Sequence, residues 1–403
     1  MTHTQSSSSN PGAKKLRYGT VLTLAAALGA AALVPQPAQA QTESVIYSFK
    51  GGANDGGYPS AGVIRDAAGN IYGTTWLGGP VDLGTVFELS KHGETMLHGF
   101  RGGADGAVPL AGLIRDAAGN LYGTTTAGGG PSCVGTVFKL SATGKETVLH
   151  CFAGQPTDGG YPLASLIFAK KGNLYGTTDS GGTNNVGTLF NMAAAGSETV
   201  LHSFTGGVVG GTDGASPGGG VIRDSAGNLY GATLAGGPQN AGVVFKVDAA
   251  GMETVLYAFS GGAAGANPMG NLVRDTAGNL YGITNIGGTA NRGTIFKVDP
   301  TGKETVLHNF GFPGDGGYPQ SGLVADAAGN LYGSADGGTF NYGVVFKFNT
   351  ASGTETILYN FGGTTGDGQY PIGSLAVDTA GNVYGTTQQG GKLGWGTVFK
   401  ITP

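Results

Sequence analysis

From Glu43 onward, short runs in which apolar and polar residues alternate return at a fixed spacing, four runs to a unit. In one unit they are Ala111–Arg115, Asn120–Thr125, Gly135–Leu140 and Glu146–Phe152. Their period of two and their Val, Ile, Thr, Tyr and Phe content predict β-strands. Asp116-Ala117-Ala118-Gly119 joins the first two runs, with Asp first and Gly fourth as a type I turn followed by a left-handed residue requires. Asp recurs at this place as Asp66, Asp224, Asp275, Asp326 and Asp378, and Ala169 departs from it. Residues 141–145 join the third and fourth runs, with Gly144 suited to a positive φ. Each unit therefore reads as a four-stranded antiparallel meander.

The tetrapeptide Asn-Leu-Tyr-Gly and its variants place Tyr72, Tyr122, Tyr175, Tyr230, Tyr281, Tyr332 and Tyr384 at near-equal intervals of about 52 residues. A meander this small cannot cover both of its faces and must stack on its neighbours. Radial stacking closes a propeller, whereas linear stacking leaves ends that need caps. The chain decides between them. It opens on a lone copy of the fourth run, residues 43–49, and ends on the third run, residues 396–401, with the fourth missing. The expected fold is all-β, a seven-bladed β-propeller of four-stranded antiparallel blades, latched by the N-terminal strand pairing in the last blade. Phe87, Phe138, Phe190, Phe245, Phe296, Phe346 and Phe399 should fill the spaces between blades. The repeated tyrosines should pack there too, with hydroxyls on backbone partners, and the glycines after them should let sheets approach closely.

Glycine supplies 81 of 403 residues and charged residues 11%, which excludes a mainly helical chain, while 39% hydrophobic residues exclude a disordered one. Lys14, Lys15 and Arg17 precede an apolar run, Val21 to Val34, that is too short to span a bilayer. With Ala38-Gln39-Ala40 it predicts a signal peptide over residues 1–40, cleavage after Ala40, and a single propeller domain over residues 41–403. No cysteine follows the apolar run and no hydrophobic or basic tail closes the sequence, so the expected location is secreted or periplasmic. Without the three basic residues of the leader, 18 basic face 25 acidic residues, and there is no basic run. That balance argues against nucleic acid and anionic membranes as partners.

The unit Glu-Thr-Val-Leu-His-x-Phe, Asp-Gly-x-x-Pro, Gly-Asn-Leu-Tyr-Gly-Thr-Thr-x-x-Gly-Gly, Gly-Thr-Val-Phe-Lys resembles the GloVer tandem repeat over residues 43–401. That family occurs in secreted bacterial proteins with varied surface anchors. The resemblance implies export and repeat architecture and transfers no activity or catalytic residue. Copies drift, with Ala264-Gly265 for Asp-Gly in the fifth and Lys170-Lys171 in a turn of the third. The diglycine after the second strand gives a weaker likeness to kelch-type blades, without their tryptophan.

In a meander blade, the Gly-Gly loops and the Asp-Gly-x-x-Pro loops fall on one face. Asp55, Asp105, Asp158, Asp213, Asp315 and Asp367 could ring the axial channel and hold a hard cation such as Ca2+. The competing reading, favoured by how readily Asp-Gly makes turns, gives each Asp a local capping role and the protein no cofactor. His98, His150, His202 and His308 lie in fourth strands and exchange with Tyr47, Tyr257 and Tyr359, which points to packing rather than metal ligation. Breaks in symmetry are few, namely Asp82, Asp179, Asp336, Arg292, Trp76 and Trp395, and they form no recognisable catalytic set. Trp76 and Trp395 occupy the same class of loop in blades that closure makes neighbours. Helped by Tyr58, Tyr370 or Tyr342, they could stack on a sugar or peptide, or simply cover their own loops. Cys133 and Cys151 flank one hairpin of the second unit, and export predicts a disulfide between them. The functional expectation is a monomeric, non-catalytic binding or scaffold module for an extracellular glycan or protein. The alternative is a propeller hydrolase or lyase with an axial metal.

Overall fold

The computed structural model describes residues 42–403 except 195, 208–210 and 312–313. The expected signal peptide over residues 1–40 and its expected cleavage after Ala40 lie outside these residues. Seven four-stranded antiparallel sheets form the blades of a propeller. Blade 1 runs through Ile64–Arg65, Ile71–Thr75, Thr85–Ser90 and Gly93–Gly99, from the axis to the rim. Blades 2 to 6 repeat this order with outer strands Glu146–Cys151, Glu198–Ser203, Glu253–Ala258, Glu304–Asn309 and Thr354–Asn360. Blade 7 takes Ala376–Val377, Val383–Thr387 and Thr397–Thr402 from the end of the chain and Thr42–Ser48 from its beginning. Thr42 pairs with Thr402 and Ser48 with Thr397, so the ring is closed by the offset that the sequence predicts.

Aromatic rings cement every junction. Phe49, Phe100, Phe152, Phe204, Phe259, Phe310 and Phe361, each just past an outer strand, are wholly buried. Each meets the third-strand phenylalanine of the next blade edge to face or tilted. Phe49 lies 5.2 Å from Phe87 across the seam and Phe361 lies 5.0 Å from Phe399. The third-strand ring needs room on its own sheet. A Cβ on Gly73 would come 2.6 Å from Phe87, so the glycine after each tyrosine admits a ring of its own blade and does not bring sheets together. Threonine hydroxyls of the second strands also bond to the linker just before the next inner strand, Thr74 to the Ala111 carbonyl (3.0 Å) and, across the seam, Thr386 to that of Ala61 (2.8 Å).

The repeated tyrosines find carboxylates rather than backbone. Tyr72 donates to Asp66 at 3.1 Å, and Asp66 also accepts from the Asn70 amide and side chain. The same set recurs at Asp116, Asp224, Asp275, Asp326 and Asp378. The turn aspartate thus fixes both the hairpin and the aromatic wall of the blade.

On the opposite face, each linker from rim to axis carries a left-handed residue before a proline, namely Tyr58, Val108, Tyr161, Ser216, Asn267, Tyr318 and Tyr370. Such a φ costs a non-glycine residue about 1 kcal/mol or more. It is held because each amide donates to the preceding blade, Tyr58 to the Trp395 carbonyl at 2.8 Å and Tyr370 to that of Tyr342 at 2.7 Å. These bonds form a second inter-blade belt, and the Asp-Gly segments pair with the Gly-Gly loops beside it, as Gly56–Gly57 does with Leu77–Gly78. Among the described residues no helix is long and apolar enough to cross a membrane.

Candidate functional site

The axial end of the channel encloses a cavity of about 130 Å3. Its wall is built of Gly62, Gly112, Gly218, Gly270, Gly322 and Gly373 with Ser60, Ser165, Ser321, Ser374, Asn271, Gln320 and a few aliphatic residues. None of the six loop aspartates belongs to this wall, which corrects the expectation of an axial carboxylate ring. The reason is the path of the chain. Each Asp lies only a few residues past an outer strand, at the rim, before the linker has crossed to the axis.

At the rim these aspartates meet the histidines. His98 and Asp105 are 2.9 Å apart, His150 and Asp158 3.1 Å, His202 and Asp213 3.2 Å, and His308 and Asp315 3.1 Å. Tyr47 donates to Asp55 at 2.8 Å and Tyr359 to Asp367 at 3.1 Å, so tyrosine takes the same donor role. The carboxylates also accept backbone amides, as Asp55 does from Lys50 and Gly56. A β-bulge makes these contacts possible. In every blade the register slips between the third and outer strands, as where Val137 pairs with His150 but Phe138 with Val148. The extra residue turns the ring toward the junction, where it stacks on the buried phenylalanine two positions on, His150 on Phe152 at 4.8 Å.

A third group comes from the next blade. Glu43, Glu94, Glu146, Glu198, Glu253, Glu304 and Glu355 open the seven outer strands, and each has one carboxylate oxygen that is buried and without a hydrogen-bond partner. Burial, and after it the facing aspartate, raises Glu43, Glu94, Glu146, Glu198 and Glu253 to about 7, and Glu355 to about 9. Glu304 faces the junction where Ala264 replaces Asp, and burial alone raises it. Burial also works against the ionised aspartates. The histidine and amide hydrogen bonds nonetheless hold Asp158 and Asp213 below the ordinary range and Asp315 at about 2. The sequence reading missed these glutamates. Their signal was internal, since Glu recurs in all seven copies while its neighbours in the cluster vary.

The structure brings Trp76, Trp395 and Tyr58 together at the seam of blades 7 and 1, with Tyr58 5.1 Å from Trp395 and 6.5 Å from Trp76. Trp395 lies flat on the linker, where a Cβ on Gly51 or Gly57 would come 2.7 Å from its indole. Trp76 is turned outward and 39% exposed. Tyr342 and Tyr370, 5.9 Å apart, repeat the Trp395–Tyr58 contact one junction earlier and stand as a separate pair. In blades 3 and 6 the place of Trp76 is taken by Asp179 and Asp336, which burial pushes above the usual carboxylate range. Asp82 is no break in symmetry. It caps the Gly78 amide at 2.7 Å, as Asn185 caps Gly181 in blade 3.

Cys133 and Cys151 are joined in a disulfide, with Cα atoms 5.5 Å apart. The bond ties the second-to-third-strand loop of blade 2 to the end of its outer strand. Elsewhere a hydrogen bond serves that purpose, as from the Thr183 amide to Ser203 (2.8 Å) or the Thr339 amide to Asn360 (2.8 Å).

The fold defines the chain as a seven-bladed β-propeller. Residues 17–212 and 208–399 match the Gloeobacter/Verrucomicrobia repeat, and the chain belongs to that family. Among solved structures, an oligogalacturonate lyase in complex with manganese aligns with 90% of this chain and 96% of its own, at 13% identity and a TM-score of 0.56. The extracellular domain of a proposed one-component system from B. thetaiotaomicron aligns with 88% of this chain at 12% identity and a TM-score of 0.54. The chain spans only 40% of the length of the latter. At such identities the likeness is one of fold alone. No curated protein matches the sequence.

Proposed function

We propose that this is a secreted, non-catalytic binding module that holds an uncharged extracellular polysaccharide on its loop face, at the seam between blades 7 and 1. The observation that carries the reading is the outward-facing indole of Trp76, beside Tyr58, which in turn meets Trp395. Of the ten exposed large hydrophobic residues described, seven project from this face, namely Trp76, Val81, Tyr161, Leu163, Tyr318, Phe340 and Leu393. Flat aromatic surfaces with a few hydrogen-bonding neighbours suit sugar rings, and here Thr126, Gln388 and Asn285 occupy the Trp76 position in other blades. The acidic balance of residues 41–403 disfavours polyanions. The glycine- and amide-lined axis supports a binding role over axial metal chemistry, and the disulfide suits an oxidising compartment.

Affinity electrophoresis against neutral and acidic polysaccharides tests this. A neutral glucan or mannan should retard the protein, and Trp76→Ala should weaken binding by up to about tenfold, since an aromatic contact is worth about 0.5–1.5 kcal/mol. Tyr161→Ala, an exposed aromatic away from the seam, should leave binding unchanged. Retardation equal in wild type and Trp76→Ala would overturn the seam as the binding place.

A further inference from the structure

We propose that three blade junctions are binding sites for a first-row divalent cation such as Zn2+, held by His150, Asp158 and Glu198, by His202, Asp213 and Glu253, and by His308, Asp315 and Glu355. In each set a ligand atom from every residue lies within 4.8 Å of the others. Ligands about 2.1 Å from a common tetrahedral ion stand about 3.4 Å apart, so small rotations of the carboxylates would supply three of the four positions and leave the fourth to water. His308 Nε2, for example, is 3.1 Å from Asp315 and 3.8 Å from Glu355.

All seven outer-strand glutamates have a carboxylate oxygen that is out of contact with solvent and has no hydrogen-bond partner, so this polar deficit marks every junction, and the gathering of an imidazole and an aspartate with the glutamate sets these three apart. At Glu355 the unpartnered oxygen is Oε1, while Oε2 faces His308 at 3.8 Å. Burying an acceptor without a partner is costly, and a bound cation is one way to offset that cost. Access is also present, because an open cleft lined by His308, Asp315, Glu355, Thr339 and Asn360 leads to the third site. The donor set selects the metal. One imidazole nitrogen with two carboxylates suits a first-row ion, whereas Ca2+ takes six to eight oxygens. An imidazole that binds the metal through Nε2 carries its proton on Nδ1, and a proton held by the glutamate carboxyl is released to solvent as that group becomes a ligand.

The repeat supplies its own controls. At Tyr47–Asp55–Glu94 and Tyr359–Asp367–Glu43 a phenol replaces the imidazole, and at Tyr257 with Glu304 the aspartate is missing as well. His98, Asp105 and Glu146 do not gather within the same span. Three ions per chain are therefore expected, each bridging consecutive blades. The inference is independent of the polysaccharide reading, which concerns a different face.

The test uses the tag-free chain, stripped with chelator and then equilibrated with Zn2+ alone, with bound metal counted by mass spectrometry and titration calorimetry. Wild type should bind three ions, and equimolar Ca2+ should not displace them. The His150→Tyr, His202→Tyr and His308→Tyr triple variant copies the natural Tyr47 and Tyr359 junctions. It should bind none, while keeping the metal-free circular dichroism and unfolding midpoint of wild type. Zinc should raise the midpoint of wild type only. Failure of wild type to bind, equal binding by the triple variant, or displacement by Ca2+ would each overturn the proposal.

Discussion

The seam can be interrogated through a single ring. Phe49 precedes blade 1 in sequence but finishes the rim of blade 7, where it is wholly buried, 5.2 Å from Phe87 and 5.1 Å from Tyr47. Phe204 makes the equivalent contact with Phe245 at 5.1 Å in the middle of the chain. Truncating a buried phenylalanine to alanine costs about 3–5 kcal/mol, of which the edge-to-face pair accounts for about 0.5–1.5. In a closed ring Phe49→Ala and Phe204→Ala lose the same packing, so their urea-unfolding free energies should fall by amounts that agree to about 1 kcal/mol. The two tryptophans, both in the seam blades, make intrinsic fluorescence a local probe, and far-ultraviolet circular dichroism reports the whole ring. The two transitions should coincide in wild type. If Phe49→Ala cost less than about 1 kcal/mol while Phe204→Ala cost the full amount, Phe49 would be the frayed end of an open array and the closure argument would fail.

The glutamates at the two tyrosine junctions give a pH prediction. Glu43 and Glu94 titrate near 4.5 when unperturbed and at about 7 in the fold, so the fold binds their protons more tightly than the unfolded chain does. Their contribution is complete below pH 4.5 and is lost as pH rises through about 7. The denaturation midpoint should therefore fall across that window, and the Glu43→Gln, Glu94→Gln double variant should show a shallower fall. Reduction of the Cys133–Cys151 bond, which spans 18 residues, should lower stability by about 3 kcal/mol in the chain-entropy estimate. Denaturant midpoints with and without reductant measure this, and an unmoved midpoint would mean that the bond does not form in the protein as purified.

Much of the fold was legible because the repeat states it seven times. Strand positions, turn aspartates, the left-handed Gly119 (φ 86°) and the offset between residues 43–49 and 396–401 all follow from local pattern and counting. The meeting of Trp76, Trp395 and Tyr58 followed as well, because closure alone makes their loops neighbours. The rim clusters did not follow. A strict alternation puts His150 on the same side as Val148, and the bulge that reverses it leaves no mark in the sequence beyond an ordinary Val-Leu-His. Nor does a single unit show that its own Glu198 completes the His150–Asp158 pair of the unit before. Such contacts depend on how twisted sheets sit side by side, and strand periodicity does not encode that. The tyrosine hydroxyls eluded the reading for a related reason, since Asp66 is visible as a turn maker but its second carboxylate oxygen is free for Tyr72 only once the hairpin has formed.

Pairing Thr42 with Thr402 also sets a timetable. At about 5–20 residues per second, roughly 20–70 s of translation separate the two strands. Throughout that wait the hydrogen-bonding edge of the earliest strand has no partner, and such an edge invites pairing with other chains. A nascent polypeptide of this design therefore gains from being shielded or kept extended until Thr397–Thr402 emerges. A ribosome that stalls before those codons would release a crescent with two sticky ends.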